Sequence, residues 1–182
     1  MEIKEQETTA QQQYLTYFLA EEEYAINIRK VKEIIEYTAI TKVPKVPRWI
    51  RGVINLRGNV VPVVDLAVRF GLDERPVTKT SCIIIVEVRQ DTETTVMGVI
   101  ADAVNQVIAL STEEIEQPPA FGTRVRLEYL AGMGKLGKKF ALILNIDRVL
   151  SAAELLTISG LQSETTNSTQ DDALEGAVTP DA

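Results

Sequence analysis

Gly132-Met-Gly134-Lys-Leu-Gly137 has the glycine spacing of a dinucleotide-binding loop, and Gly137-Lys138 nearly completes a phosphate loop. Chemistry of that kind needs the glycines to open a helix whose N-terminal N–H groups face phosphate oxygens. The residues that follow, Phe140-Ala-Leu-Ile-Leu-Asn-Ile146, read as a strand, and Lys139 stands where a phosphate loop requires Ser or Thr. A small nucleotide-binding enzyme using Gly132 to Lys138 is therefore the weaker reading. A tight hairpin turn needing positive φ accounts for these glycines better. Acid–base chemistry has no firmer footing. The chain has no histidine and one cysteine, Cys82, so neither a Ser-His-Asp nor a Cys-His arrangement nor a Cys₄ zinc site can be assembled. Glu33 with Glu36, and Glu113 with Glu114, read as solvated faces rather than paired catalytic carboxylates. Cys82 lies in an apolar run, which suits an inert buried thiol. No catalytic residue, metal or cofactor is expected.

The body that would carry a site is ordinary in composition and balanced in charge. With 182 residues, 45% hydrophobic and 25% charged, the chain can build one domain or two small lobes sharing a core. Its net charge of −7 is concentrated at the ends: residues 160–182 hold Glu164, Asp171, Asp172, Glu175 and Asp181 with no base, and residues 1–13 add a net −2. The remainder is neutral, which removes electrostatic attraction to nucleic acid or anionic lipid. No apolar run approaches the roughly 20 residues of a membrane-spanning helix, so no membrane insertion is expected. The acidic start Met1-Glu-Ile-Lys-Glu5 lacks the features of a secretory signal, and a cytoplasmic location is expected. Residues 1–13 read as a flexible leader and 158–182 as a disordered acidic tail, either simply solvated or a lure for a partner. The domain proper spans 14–157.

Within it, short β-prone runs alternate with polar or Gly/Pro turns, the pattern of small barrels or a sandwich. The strands are expected over 14–19, 24–28, 53–56, 60–64, 82–88, 96–100, 104–109 and 140–146. Brief helices are expected over 30–36, 65–70 and 152–156, the last opened by a capping box of Ser151 and Glu154. The pattern also repeats. Residues 24–35 match 97–108 without a gap, and Gly52, Leu56, Val60, Asp65 and Leu66 fall on Gly132, Leu136, Phe140, Asn145 and Ile146 at a constant offset of 80. Two similar lobes follow, about 14–80 and 81–157, with room for strand exchange between them. At about 70 residues each they need a shared apolar seam. By periodicity Val31 and Ile35 would line one face of a short helix, which core packing explains.

Arg51-Gly-Val-Ile-Asn-Leu-Arg-Gly58, Val61-Pro-Val-Val-Asp-Leu66 and Phe70-Gly71 resemble the CheW family of chemotaxis coupling proteins. The likeness extends through Glu23-Tyr-Ala-Ile-Asn-Ile28, Gly98-Val-Ile-Ala-Asp102 and Glu128-Tyr-Leu-Ala-Gly132, covering about residues 14–157 in order. The resemblance implies a mainly β fold of two five-stranded SH3-like barrels packed about a shared hydrophobic core. It implies no enzyme but an adaptor, which contacts the cytoplasmic tip of a chemoreceptor and the regulatory domain of the histidine kinase CheA. On that basis the protein is expected to be a monomer alone, recruited into membrane receptor arrays; a paralogous adaptor in a surface (twitching) motility pathway is the neighbouring alternative.

The same resemblance implies the contact residues. Val31, Glu33, Arg57, Gly58, Val104 and Val107 match the surface that meets the receptor, and Ile28 and Phe121 match positions that meet the kinase. Ala120 departs from the acidic residue that some members carry before the Phe, which weakens the expectation of kinase–adaptor rings. Gly52, Gly58 and Gly98 read as backbone requirements rather than contacts.

Overall fold

The computed structural model describes residues 11–118 and 125–161. The described chain is built of strands β1 (Gln11–Leu19), β2 (Glu22–Asn27), β3 (Val31–Glu36), β4 (Ile50–Leu56), β5 (Asn59–Val64), β6 (Cys82–Gln90), β7 (Glu93–Ala101), β8 (Ala103–Ser111), β9 (Ile115–Glu116), β10 (Leu130–Leu136) and β11 (Lys139–Leu144). A short helix, α1 (Leu66–Arg69), follows β5, and a second, α2, covers 152–161. Asp65 caps α1 by accepting from the backbone N–H of Ala67 and Val68. The predicted box opens α2: Ser151 N–H donates to Glu154 Oε1 at 2.8 Å, and Glu154 N–H donates to Ser151 Oγ at 3.2 Å.

The strands form two curled half-barrels. One sheet has the order β8-β1-β2-β11-β10-β9, the other β3-β6-β7-β5-β4. Neither is a contiguous half of the sequence. The first repeat (β1 to β5) gives two strands to the first sheet and three to the second, and the second repeat (β6 to β11) gives four to the first and two to the second. Sheet membership therefore does not divide near residue 80. Parallel pairings join the repeats, β11 with β2 and β5 with β7, while their neighbours are antiparallel. The offset of 80 is structural: β4–β5 and β10–β11 are equivalent hairpins, with register shifts at Ile50/Gly52 and Leu130/Gly132.

Burial explains why the strands are apolar almost without alternation. In β6, Ile83 and Ile85 pack inside their own half-barrel, while Ile84, Val86 and Val88 point into a larger cluster common to both sheets. In β1, Leu15, Tyr17 and Leu19 face that shared cluster and Tyr14 faces the other half-barrel's interior. A strand buried on both faces has no polar side to display. Two polar ties also cross between the sheets. Asp147, just past β11, accepts from Lys30 Nζ at 2.7 Å and from the backbone N–H of Arg89 in β6 at 2.7 Å.

Four expectations need correction. Residues 31–36 are strand rather than helix, because three β-branched residues find an antiparallel partner in Ile83–Val86. Gly132 and Gly134 lie within β10, not in a turn. Cβ atoms there would sit 2.6 Å from Ile115 Cγ2 and Leu110 Cδ1, and only Gly137 has positive φ. β10 itself was absent from the expected strands, since glycines dilute its apolar pattern. Finally, 158–161 belongs to the domain and not to the tail: α2 continues to residue 161, and Leu155, Ile158 and Leu161 recur every third residue on a face buried in the shared cluster.

Candidate functional site

The chain around Val31 switches faces at a bulge. Val31 pairs with Val86, Glu33 with Ile85, and Lys32 is the extra residue. Val31 therefore packs against the shared cluster, whereas Ile35 packs into the half-barrel of its own sheet. The same device recurs in the second repeat. Between β1 and β8 the register shifts so that Val104 opposes Tyr17 and Gln106 opposes Thr16, leaving Asn105 extra. Val104, like Val31, rests half-buried on the shared cluster. The gapless match of 24–35 with 97–108 makes Val31 and Val104 equivalent, and makes Ile34 equivalent to Val107.

Ile34 and Val107 are 43% and 50% exposed, large apolar side chains in water on two edge strands, β3 and β8. Val107 was expected as a contact residue and Ile34 was not. The repeat supplied the signal that would have found it. Ile28, in a single 3-10 turn between β2 and β3, also rests half-buried on the shared cluster. Val31, Val104 and Ile28 are thus gathered on one cluster, while Val107 belongs to none. Phe121 lies outside the described residues.

Arg57 and Gly58 form the two-residue loop of the β4–β5 hairpin, with φ of 52° and 87°. Both signs are those of a type I′ turn, whose twist matches the flanking strands. The glycine adopts this without strain, but an arginine rarely does. Its side chain is held: Nη1 and Nη2 donate to the two carboxylate oxygens of Glu33 at 2.7 and 2.8 Å. This bidentate pair forms part of the wall of a cleft of about 460 Å³ whose lining is mixed, Leu56, Val60, Val61, Ile85 and Val96 on the apolar side and Lys32 and Asn59 on the polar. Arg57 is therefore not a free rim charge, since a partner must either read the pair as a unit or separate it.

Hydrogen bonding from Arg57, with its positive charge, holds the Glu33 carboxyl below its ordinary 4.5, and the Arg57 guanidinium is pushed correspondingly up. A lowered carboxylate pKa means the pair contributes fully above 4.5 and is lost as pH falls through the lower folded value. In Arg57→Ala, an NMR titration of Glu33 should move its midpoint up toward 4.5. An unchanged midpoint would show that the two side chains do not pair in solution.

The glycines divide by reason. At Gly52, φ is +141° and a Cβ would overlap the Thr41 carbonyl oxygen; at Gly98 it would lie 2.6 Å from Ile83 Cγ2; at Gly58 it would meet open space. The first needs glycine for conformation and space, the second for space, the third for the turn alone. The segment Gly132 to Lys138 is a strand and hairpin turn and opens no helix, so it offers no phosphate-binding N-terminus. Among the described residues, no group of three or more His, Cys, Asp or Glu is placed to hold a metal ion, and no helix is long and apolar enough to cross a membrane.

Two interlocked half-barrels, each with an exposed apolar residue on an edge strand and one carrying a bidentate ion pair, define a β-rich scaffold. The CheW-like domain model matches residues 13–154. The CheW chemotaxis protein of Klebsiella aerogenes is 34% identical over 153 residues, covering 84% of this chain and 90% of its own. That of Treponema pallidum is 32% identical, covering 82% and 88%. The crystal structure of scaffolding protein TtCheW from Thermoanaerobacter tengcongensis superimposes with a TM-score of 0.70 at 36% identity, over 78% of this chain and 89% of that one. This chain belongs to the CheW family of chemotaxis scaffold proteins.

Proposed function

We propose that this protein is a non-enzymatic adaptor that couples the cytoplasmic tips of chemoreceptors to the regulatory domain of the histidine kinase CheA, working in the cytoplasm at receptor arrays. The observation that carries the reading is a matched pair of apolar sites. Val31 and Val104, equivalent in the repeat, each rest half-buried on the shared cluster, with Ile34 and Val107 exposed three residues further along the same edge strands. An amphipathic helix of a receptor tip would bury its apolar stripe on such residues, and the Glu33–Arg57 pair would fix its orientation. Gly58 keeps the turn that holds Arg57 in place, while Ile28, and Phe121 by its match to the family, serve the kinase.

Binding of a receptor signalling tip and of a kinase regulatory domain should be measured separately for the parent and for Arg57→Glu. The reversal sets two carboxylates against each other beside the cleft, and receptor affinity should fall roughly tenfold while kinase affinity changes little. Equal losses for both partners, with the melting temperature unchanged, would contradict the division of surfaces. Failure of the parent to bind either partner at micromolar concentrations would remove the adaptor reading altogether.

A further inference from the structure

The connection between β3 and β4 carries a three-residue repeat, Lys42-Val-Pro-Lys45-Val-Pro-Arg48-Trp49. Its burial follows the same period. Val43, Val46 and Trp49 are half-buried against the shared cluster, while Lys42, Lys45 and Arg48 are exposed. Among the described residues none of the three bases forms an ion pair, a state shared by Arg29, Arg89 and Arg148, whereas Arg51, Arg57, Arg69, Arg75 and Arg126 are paired. The connection is also braced. It contains two prolines and a positive φ at Lys45, and is closed by paired hydrogen bonds of 2.9 Å between Thr41 and Val53. A comb of three cations stands on a backbone that needs little ordering to bind.

We propose that this comb is the docking site of the chain's own acidic segment within residues 162–182. That segment holds Glu164, Asp171, Asp172, Glu175 and Asp181 and no base. It leaves the domain close by. Arg69 lies 5.7 Å over the Trp49 ring and donates to Glu154 of α2 at 3.0 Å, so one side chain links the base of the comb to the helix from which the acidic segment departs. Leu161, the last described residue, rests on the same cluster as Val43, Val46 and Trp49. A stretch of 21 residues is long enough for its acids to reach the comb, since even a random coil of that length spans about 25 Å root-mean-square. Because the three bases are exposed, the contact is electrostatic and salt-sensitive. It screens the comb from other acidic partners until one of higher affinity displaces the segment.

The test compares backbone amide spectra of the full chain with those of a full-length variant carrying Glu164→Gln, Asp171→Asn, Asp172→Asn, Glu175→Gln and Asp181→Asn. The amides of Lys42, Val43, Lys45, Val46, Arg48 and Trp49 should differ at about 0.05 M salt and converge at about 1 M, where the screening length is near 3 Å. In Lys42→Glu/Lys45→Glu/Arg48→Glu, the amides of residues 162–182 should lose their salt dependence. Coincident comb amides at low salt would overturn the proposal. So would differences collected on another face, differences that grow with protein concentration, or a salt dependence that survives the triple reversal.

Discussion

Gly52→Ala should be the most damaging small substitution in the chain. At φ +141° the residue occupies backbone space that only glycine enters readily, and an added Cβ would overlap the Thr41 carbonyl oxygen, with Ile40 Cγ2 at 2.8 Å behind it. The obstacle is backbone, so no rotamer change relieves it. Thr41 is also bonded to Val53 by two hydrogen bonds of 2.9 Å, and displacing it sacrifices both. Strain of about 2 kcal/mol and two lost hydrogen bonds at about 1 kcal/mol each give a destabilisation of roughly 4 kcal/mol. For a chain of this size that lowers Tm by about 8–16 °C. Gly58→Ala is the control. It also has positive φ but no neighbour within 4 Å, and should cost only about 1 kcal/mol. Thermal melts that rank the two variants equally would show that the close approach of Thr41 is not real.

Ile158→Ala should cost about 2–5 kcal/mol, the range for truncating a fully buried branched side chain. Leu156→Ala, two residues away on the same helix, should be nearly neutral. Ile158 is completely buried in the shared cluster, whereas Leu156 is 66% exposed. Urea unfolding of the two variants reads this directly, through a shifted midpoint with an unchanged slope. The contrast bears on where the domain ends. α2 comes from the side of β11, yet Glu154 pairs with Arg69 of α1 and Ser159 Oγ lies 3.4 Å from Thr95 Oγ1 of β7. It therefore fastens one half-barrel to the other. Similar small losses in both variants would mean that α2 does not dock and that the domain stops near residue 157.

The candidate site was named in advance by resemblance to a family and not by local chemistry. By periodicity alone Val31 reads as core, and Arg57, Gly58 and Val104 entered only through their match to the CheW family; the structure adds that Arg57 and Gly58 form a hairpin turn and that Val31 and Val104 rest half-buried on one cluster. The Glu33–Arg57 pair was not legible. Glu33 and Arg57 are 24 residues apart, and nothing local says that β3 and the β4–β5 turn meet. Ile34 was legible in principle, through its equivalence to Val107, but a helical reading of 30–36 hid its direction. That error has a physical source: in six residues, apolar positions at 31, 34 and 35 satisfy a helical period as well as a bulged strand, and the bulge at Lys32 destroys the alternation that would separate them.

By itself the sequence determined the local elements, the twofold repeat with its equivalent hairpins at an offset of 80, and the lack of histidine that removes the common catalytic sets. These depend on neighbours a few residues apart, where turn chemistry and periodicity act. Tertiary structure alone decided which repeat supplies which strand, and so which residues share a surface. Because the repeats have the same apolar pattern, β1 could in local terms accept β3 as readily as β8. From Tyr14 to Leu19 β1 is buried or half-buried on both faces, so it has no polar face of its own to fix the choice. Only the closing of both half-barrels around one shared cluster selects the exchanged arrangement, and that selection packs Val31 and Val104 against the same cluster.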